Sequence, residues 1–432
     1  MSSATLHIGD VRDVMATMAD GSVDLILTSP PFLALRSYLP ADHPDKAKEI
    51  GSEPTPAAFL DTLLELTAEW GRLITPHGSI AVELGDTYSG SGGSGGDYGE
   101  GGLREGQSKF DGSARVNRGG RGGRASMVEK ATGGHHMGGK GWPLDKSACL
   151  IPQLYAIALS YGISPLTGEP SPAGRWRVRN VVAWCRPNPP VGALGDKFRP
   201  ATSYMTIATK ARDRWFDLDA VRAVNNPERA AERNFHRPAN QHTLFDDTDP
   251  SSFGSQNPAG APPLDWWKVS TEAYPGSHYA TWPRKLLDRP IQTMCPREVC
   301  TTCGEPRRRL TETQRTKDGQ PIPVEDLAIR RGDQTGRTAN SGGNWRYATE
   351  RTDLGWTDCG HGTFRPGIVL DPFAGSGTTL AVATGHSRDA IGIDIDERNE
   401  HLVRERVGMF LTDVIDHRSP EVAGPDTHRG AA

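Results

Sequence analysis

The chain has 432 residues, of which 36% are hydrophobic and 24% charged, and its formal net charge is −4. This length suits one large α/β domain with insertions or two domains, while the charge excludes a globally basic coat for nucleic acid, so that any affinity for phosphate must come from local Arg and Lys. No stretch approaches about 18 uninterrupted apolar residues and the N-terminus lacks a signal-peptide pattern, so we expect a cytoplasmic protein that does not enter membranes.

Strand and helix patterns alternate over the first 88 residues. TLHIGD and SVDLILTS have the short apolar pattern of strands, and VRDVMATM between them has the pattern of a short helix. The segment PTPAAFLDTLLELTAEWGRLI predicts a long amphipathic helix opened by Pro and Thr, and after the turn TPHGS the segment SIAVELGD predicts a third strand. The order βαβαβ is typical of a mostly parallel sheet with crossover helices.

A Gly-rich stretch, residues 89–141, interrupts this pattern. It includes SGSGGSGGDYGEGG and RVNRGGRGGRAS, and so little apolar surface cannot offset the entropy of ordering so many glycines. We expect a flexible basic insertion that contacts phosphate without reading sequence, and we expect its two adjacent histidines, His135 and His136, to be solvated.

The αβ pattern resumes with a predicted helix, IPQLYAIALSYG, and two predicted strands, VRNVVAWC and SYMTIATKA. Between Arg175 and Arg214 the chain carries nine Arg and Lys against two Asp, with Trp176, Trp184 and Trp215 interleaved. Interleaved cations and aromatic rings are what a nucleic-acid groove requires, and a solvated face is the alternative interpretation.

The segment IVLDPFAGSGTTLAVA has the features of a ligand-binding loop. A β-branched strand ends at Asp371, and a turn with two glycines leads directly into a helix of small residues, so that the backbone can approach a ligand closely. We expect three side chains to cap that helix, namely Ser376, Thr378 and Thr379. The next strand lies within AIGIDID and ends in Asp394, where a carboxylate can accept hydrogen bonds from ribose hydroxyls.

The residues of this loop discriminate among nucleotide ligands. A phosphate-binding loop requires a Lys after its last Gly, which GSGTT lacks, and a dinucleotide fingerprint requires a third Gly where Thr378 stands. The remaining candidate is a nucleoside without phosphate, such as S-adenosylmethionine (SAM). A purely structural strand-to-helix turn is the alternative.

Two motifs together resemble a known family. With TSPPF at residues 28–32 and DPFAGSGTT at residues 371–379, the chain resembles the DNA amino-methyltransferases, which methylate the exocyclic amine of cytosine or adenine. The catalytic motif comes first and the cofactor motif last, which is similar to the beta-type permuted order of that family. Further matches are GDVRDVM, IAVELGDTYS, WCRPNPPVGALGDKFRPATSYMTIATK and HYATWPRKL.

The resemblance implies a SAM-dependent methyltransferase of Rossmann-like α/β fold, with a mostly parallel sheet, circularly permuted motif order and duplex DNA as substrate. It implies that Asp394 holds the ribose of SAM and that Asp10 faces the adenine amine. The implied cofactor site as a whole comprises Asp10, Asp371, Phe373, Gly375, Ser376, Gly377, Thr378 and Asp394. The implied catalytic residues are Ser29, Pro30, Pro31 and Phe32.

The TSPPF motif suits methylation of an amine whose lone pair is delocalised into a ring. If Ser29 Oγ and the carbonyl of Pro30 accept the two amine hydrogens, the nitrogen lone pair is directed at the methyl donor. The two prolines, Pro30 and Pro31, stiffen the turn before substrate arrives. The target base must flip out of the duplex at a cost of roughly a few kcal/mol, which Phe32 can partly offset by stacking.

Several alternatives for target and function stay open. Ser at the first motif position favours cytosine N4, although some enzymes with Ser act on adenine N6. An RNA amine methyltransferase and a catalytically idle nucleic-acid-binding module are the other hypotheses. A restriction endonuclease is a candidate partner. Residues 225–263 lie where related enzymes carry target-recognition elements, with a spacer as the alternative, and contain Arg229, Arg233, Arg237 and Gln241.

Six cysteines in a reducing compartment favour metal binding or packing over disulfides. VCTTCGEP and TDCGHG supply a ligand set of thiolates and an imidazole that suits a tetrahedral structural zinc ion, namely Cys300, Cys303, Cys359 and His361. Cys295 is a competing ligand. Cys149 and Cys185 lie in apolar contexts and are expected to be core thiols.

These patterns predict a methyltransferase core with three insertions. In chain order we predict core with the catalytic motif (1–88), flexible Gly-rich insertion (89–141), core (142–224), candidate target-recognition insertion (225–263), core (264–299), zinc ribbon-like Cys/His insertion (300–361), SAM-binding core (362–418) and disordered tail (419–432).

Overall fold

The structure is a computed structural model that describes residues 2–35, 38–40, 42–90, 139–189, 196–223, 259–272, 282–317, 320–321 and 347–418. The predictions made for residues 91–138, for Arg229, Arg233, Arg237 and Gln241, and for the C-terminal tail lie outside these ranges. The chain forms two compact units. We call Met1–Trp215, Asp265–Arg297 and Pro366–Ala432 the sheet unit, and Phe216–Leu264 and Glu298–Arg365 the second unit.

The described α-helices are α1 (Val11–Thr17), α2 (Pro56–Leu73), α3 (Ile151–Tyr161), α4 (Arg284–Met294), α5 (Thr378–Gly385) and α6 (Glu400–Val407). The described strands are β1 (Ala4–Ile8), β2 (Val23–Thr28), β3 (Ile74–Leu84), β4 (Arg177–Cys185), β5 (Thr202–Thr209), β6 (Trp266–Lys268), β7 (Glu298–Cys300), β8 (Arg309–Lys317), β9 (Gln320–Pro321), β10 (Tyr347–Trp356), β11 (Phe364–Pro366), β12 (Ile368–Asp371), β13 (Asp389–Asp394) and β14 (Leu411–Asp416). Within the described ranges, no helix combines the length and the apolar character needed to cross a membrane.

The sheet unit is built on a nine-stranded sheet in the order β14-β1-β13-β12-β2-β3-β5-β4-β6. Neighbouring strands from β14 to β3 pair in parallel, and β5 alone runs antiparallel to both of its neighbours. This confirms the predicted Rossmann-like α/β fold with a mostly parallel sheet. The strand that precedes the Gly-rich loop lies at the centre although it comes late in the chain, as the permuted motif order requires.

The strand order reverses at the centre of the sheet, between β12 and β2. From β12 the chain continues to β13 on one side, whereas from β2 it continues to β3 on the other side. The connections therefore diverge at the carboxyl ends of these two strands and leave a crevice, which is the usual place for a ligand in open α/β sheets.

Strand β2 is buried along its whole length, as expected for a central parallel strand that is covered on both faces. Its side chains alternate between two hydrophobic cores. Ile26 packs in one core with Leu63 of α2, whereas Leu25 packs in the other with Leu287 of α4 and Leu380 of α5. Helices on both faces thus fix where β2 ends.

Helix α2 begins as the sequence predicts. The hydroxyl of Thr55 accepts a hydrogen bond from the N–H of Ala58 (3.2 Å), and Pro56 occupies the first helical position, where its missing N–H costs nothing. Phe59 and Trp70 on the inner face are fully buried, and each such side chain stabilises the fold by roughly 1.5–3 kcal/mol.

The predicted turn TPHGS is wrong, because these residues lie inside β3. Val23 pairs with Ile74 and Leu25 with Ser79, so the chain between them bulges out of the ladder. The buried carboxylate of Asp24 holds this bulge, because it pairs with His77 Nε2 (2.9 Å) and also accepts the N–H of Ile368 (2.8 Å). Hydrogen bonds of Asp24 that link β2, β3 and β12 thus hold the segment in the sheet, where a turn was expected.

Two segments that are far apart in the sequence form the second unit. Strands β8, β9 and β10 make an antiparallel sheet, and β7 pairs with β11. Buried Asp217 pairs with Arg309 (3.0 Å), and Asp219 pairs with Arg222 (2.6 Å) and with Arg351. These ion pairs join the segment that begins at Phe216 to strands β8 and β10.

Candidate functional site

The crevice at the carboxyl edge of the sheet unit holds a cavity that collects most of the predicted site residues. It is lined by Ser29 and Pro31 of the TSPPF motif and by seven of the eight predicted cofactor residues, namely Asp10, Asp371, Phe373, Gly375, Ser376, Thr378 and Asp394. Pro30, Phe32 and Gly377 do not line it. The cavity therefore brings both motifs together in one place.

Asp371 ties the two motifs to each other. Its buried carboxylate accepts hydrogen bonds from the hydroxyls of Thr28 (2.7 Å) and Thr379 (2.5 Å) and from the N–H of Phe373 (3.1 Å). Burial raises the pKa of Asp371 to about 6, although these three donors favour the charged form. The carboxylate thus fixes the end of β2, which carries Ser29, against the Gly-rich loop.

Asp394 shapes the Gly-rich loop from the neighbouring strand. Its Oδ2 accepts the N–H of Gly375 (2.7 Å), and its Oδ1 accepts the N–H of Asp396 (2.8 Å) and the amide of Asn399 (3.2 Å). Burial raises the pKa of Asp394 to about 7, and the charge of Asp396 raises it further against these donors. A carboxylate with this many donors is rigidly oriented at the cavity wall.

The expected capping of α5 by hydroxyl groups is wrong. Gly377 is the N-cap, with φ at 76°, and no side chain caps the helix. Thr379 donates to Asp371 instead, and Thr378 accepts from Arg406. Gly377 is required here on steric grounds, because a Cβ in this left-handed conformation would lie 3.0 Å from Val403 of α6.

Asp10 both caps helix α1 and lines the cavity. Its side chain caps α1 by accepting the N–H of Arg12 (2.8 Å), and it also lines the cavity. The preceding residue, Gly9, donates its N–H to the carbonyl of Asp394 (2.8 Å). The end of β1 is thereby held beside the end of β13, while contact of Asp10 with an adenine amine stays a prediction.

Sequence reasoning missed Glu83, which lies directly behind Ser29. In the parallel register Thr28 pairs with Val82, so the next residues of both strands are neighbours, and Ser29 donates its hydroxyl hydrogen to Glu83 Oε2 (2.6 Å). Glu83 is 2% exposed, and burial raises its pKa. The available signal was a single charged residue inside the apolar strand AVEL.

The ring of Phe32 packs on the backbone of Gly85, one residue beyond β3. A Cβ added at Gly85 would lie 2.5 Å from Cε2 and 2.9 Å from Cδ2 of Phe32, so only glycine leaves room for the ring. Phe32 is half-buried and also contacts the core that includes Leu84. Stacking of Phe32 on a base stays a prediction.

The structure adds cavity residues to which the sequence assigned no role. Those outside the predicted motifs and strand ends include Trp282 from the segment HYATWPRKL and four residues from the loop after the TSPPF motif, namely Tyr38, Lys48, Glu49 and Ile50. The loop residues have no local sequence signature, whereas Trp282 lies in a segment that matches the family but carries no assigned role.

The three tryptophans of the basic segment are core residues. Trp176, Trp184 and Trp215 are at most 5% exposed, so they cannot stack on bases as the groove interpretation requires. Trp184 donates its Nε1–H to the carbonyl of Val269 (2.8 Å). This part of the nucleic-acid groove hypothesis is therefore wrong.

The second unit contains a separate cluster of metal-ligating side chains. One ligand atom from each residue lies within 4.8 Å of the others in the set Cys300, Cys303, Cys359 and His361. The N–H of Thr302 points at Cys300 Sγ (3.4 Å), as in a metal knuckle. Cys295 instead belongs to the hydrophobic core of the sheet unit, and Cys149 is buried while Cys185 is half-buried.

Comparisons with known proteins agree on one group. A family model described as DNA methylase matches residues 23–299 and 360–405. Type II methyltransferase M.SmaI from Serratia marcescens is 20% identical over 94% of this chain and 91% of that protein. Type II methyltransferase M.SfiI from Streptomyces fimbriatus is 23% identical over 53% of this chain, and the chain spans only 41% of its length. The solved PvuII DNA methyltransferase (cytosine-N4-specific) is 13% identical, with a TM-score of 0.44 over 96% of this chain and 95% of that chain.

The contact between Phe32 and Gly85 yields a stability prediction. Gly85→Ala would place a methyl group 2.5 Å from the Phe32 ring, and such overpacking lowers the free energy of unfolding by about 1–3 kcal/mol. Denaturant unfolding measures this loss. Gly385→Ala at the end of α5 is the matched control, because nothing lies within 4 Å of the added atom. An equal loss for Gly85→Ala in a Phe32→Ala background would contradict the contact, since removing the ring should relieve the clash.

Proposed function

The chain belongs to the N6/N4 DNA methylase family, and on that premise we propose that it transfers the methyl group of SAM to the exocyclic amine of a base in DNA, with cytosine N4 as the acceptor. The observation that carries this proposal is that Ser29 of the TSPPF motif and the Gly-rich loop line one cavity. Both lie where the strand order of the sheet reverses.

The cavity suits SAM in its charge and in its apolar lining. SAM supplies an electrophilic methyl group on a positively charged sulfur. Among its described lining residues, the cavity has one cationic side chain, Lys48, against five carboxyl-bearing ones, namely Asp10, Glu49, Asp371, Asp394 and Asp396. This imbalance favours a cation over a phosphate. Apolar walls from Ile50, Trp282 and Phe373 are suited to the adenine ring and the aliphatic chain.

The hydrogen bond between Ser29 and Glu83 explains how Ser29 serves the target amine. A hydroxyl has one hydrogen, and that of Ser29 is donated to Glu83 (2.6 Å), so the oxygen is left to act as an acceptor toward the cavity. When Ser29 Oγ and the Pro30 carbonyl accept the amine hydrogens, the nitrogen lone pair turns toward the methyl group.

The proton has a path out of the site. As the amine lone pair forms the new N–C bond, the electron pair of the C–S bond stays on sulfur, and the positive charge moves from sulfur to the amine. The amine then loses one proton to Ser29 Oγ, which passes its own hydrogen to Glu83. A buried carboxylate with a raised pKa is suited to accept it.

Cytosine N4 is favoured by the serine that opens the motif, and adenine N6 is the second candidate. We propose that the base is flipped out of duplex DNA, because an amine paired inside the DNA helix cannot reach Ser29 in the cavity.

Residues 225–263 are proposed to recognise the target sequence, and residues 89–141 to hold phosphate. A restriction endonuclease that reads the same sequence is the proposed functional partner.

We further propose that the Cys/His cluster of the second unit holds a structural zinc ion. Three thiols and one imidazole are a donor set for tetrahedral zinc, in which sulfurs lie about 3.8 Å apart, and the present separations of up to 4.8 Å require only small side-chain movements. The cluster joins both ends of the 300–361 insertion. Such a metal stabilises the folded loop by constraining it.

Methyl transfer to DNA is the direct test of the function. We expect the purified protein to transfer tritiated methyl from SAM to unmethylated duplex DNA, and we expect nucleoside mass spectrometry to identify N4-methylcytosine. N6-methyladenine would move the target to the second candidate. Methylation of RNA alone would contradict the proposal, as would the absence of methylated bases on both duplex and single-stranded DNA.

Two substitutions separate chemistry from cofactor binding. Ser29→Ala should lower the rate of methyl transfer by about 100-fold or more with little change in SAM affinity, because Ser29 acts on the amine. Asp394→Ala should weaken SAM binding by about 10- to 100-fold, since it removes charged hydrogen bonds. Calorimetric SAM titration and single-turnover rates measure both effects. Equal losses of both quantities in each variant would contradict these roles.

The zinc proposal predicts a metal content of about one zinc per chain for protein purified without chelators. Cys303→Ser should lose that zinc and lower the melting temperature of the second unit. Cys295→Ala is the matched control, because Cys295 lies in the core of the sheet unit, and it should keep the zinc. Elemental analysis measures the content, and full zinc occupancy in Cys303→Ser would overturn the ligand assignment.

A further inference from the structure

A second layer of polar side chains lies behind Ser29, on one face of the sheet. Met205 of β5 is the register partner of Glu83, so Ser203, two residues away, faces the same side. Ser203 is in turn the register partner of Trp184, which places Arg186, two residues further on, on that side as well. The pairing of β3, β5 and β4 therefore places Glu83, Ser203 and Arg186 on one face of the sheet along a diagonal, with a displacement of two residues at each step.

Arg186 is fixed at the end of this row. Its Nη1 donates to Ser203 Oγ (3.5 Å), its guanidinium lies 5.0 Å from the Trp184 ring centre, and its backbone N–H donates to Ala201 (2.8 Å). Its Nε is buried and has no hydrogen-bond partner among the residues that the structure describes. A buried donor without a partner destabilises the fold, so packing alone does not account for an arginine here.

We propose that Arg186, acting partly through Ser203, is a positioning residue that keeps Glu83 ionised and thereby keeps the hydroxyl of Ser29 turned toward Glu83. This inference rests on the methyl-transfer function proposed above and adds to it a residue that touches neither SAM nor the target base.

The electrostatic surroundings of Glu83 agree with this role. Burial raises the pKa of Glu83, whereas the nearby hydroxyl of Ser203, the hydrogen bond from Ser29 and the charge of Arg186 lower it. Oε1 of Glu83 is buried and has no hydrogen-bond partner among the described residues, so the influence of Ser203 and Arg186 on it is electrostatic. Burial lowers the pKa of Arg186, and the charges of Glu83 and Cys185 raise it. Burial also raises the pKa of the Cys185 thiol, which is therefore neutral near pH 7. Arg186 is thus the charged side chain that opposes the desolvation of Glu83.

Ionisation of Glu83 decides which way the hydrogen of Ser29 points. Ionised Glu83 can only accept, so Ser29 donates to it and presents an oxygen to the amine. Protonated Glu83 can donate to Ser29, and the hydroxyl hydrogen of Ser29 then turns toward the amine, where it opposes the amine hydrogens. Only ionised Glu83 can accept the proton that the amine releases through Ser29. The rate of methyl transfer therefore falls as pH falls through the pKa of Glu83.

The test is the pH dependence of single-turnover methyl transfer at saturating SAM. Arg186→Met removes the charge but keeps much of the side-chain volume, and it should move the acidic limb of the profile to higher pH by about 1 unit or more. Ser203→Ala should move it in the same direction by less. Arg186→Lys keeps the charge and should restore the wild-type limb. SAM affinity should stay within about twofold in all three variants, because none of these residues lines the cavity.

A purely structural role for Arg186 predicts a different result. In that case Arg186→Met lowers the melting temperature and leaves the acidic limb unchanged, which overturns the proposal, as does failure of Arg186→Lys to restore the limb. An Arg186 variant that no longer binds SAM is misfolded. In that case the acidic limb of the pH profile of Ser203→Ala decides whether the positioning role holds. If the wild-type protein methylates no DNA, the proposed function fails, whereas normal wild-type activity with unshifted limbs in both variants refutes the role of Arg186 alone.

Discussion

The buried carboxylate of Asp371 is the contact on which the site depends. It joins Thr28 at the end of β2 to the Gly-rich loop after β12, although Thr28 and Asp371 are 343 positions apart in the chain. That tie adds to the pairing of β2 with β12 and to the packing of β2 between two cores in holding Ser29 against the loop. The desolvation cost of the carboxylate is offset by three donors from both strand ends, so the same contact that places the motifs also locks their orientation.

Buried acidic side chains lie at both ends of the parallel strands, and each accepts a hydrogen bond from outside its own strand. Asp24 holds the bulge of β3 near the amino end of β2, while Asp371, Asp394 and Glu83 lie at the carboxyl ends. Asp371 and Asp394 both accept backbone N–H groups and line the cavity. Glu83 differs from the others because its main partner, Ser29, itself faces the cavity, so its protonation state reaches the proposed chemistry.

The second unit is formed by two segments that are far apart in the sequence. The segment that starts at Phe216 and the Cys/His segment have no shared pattern in the sequence, yet ion pairs between Asp217 and Arg309 and between Asp219 and Arg351 join them. Ion pairs of this kind need both partners in place before they stabilise anything, because each alone would leave a charge without compensation. A metal at the Cys/His cluster would hold one of the two segments in the required shape.

The sequence by itself determined most of the helices and strands and where the two motifs begin and end, because strand periodicity, the Thr55 cap and the glycines of the loop act over a few residues. It predicted the sheet, the ends of β2 and β13, and the Cys/His set whose side chains lie together in the second unit. It misjudged the hydroxyls expected to cap α5, because Thr379 finds a better acceptor in Asp371, and the turn TPHGS, because Asp24 captures that segment. Only the tertiary structure decided that Glu83 lies behind Ser29 and that Arg186 lies on the same face of the sheet as Glu83, since the register between strands sets which side chains meet and no local pattern encodes that register.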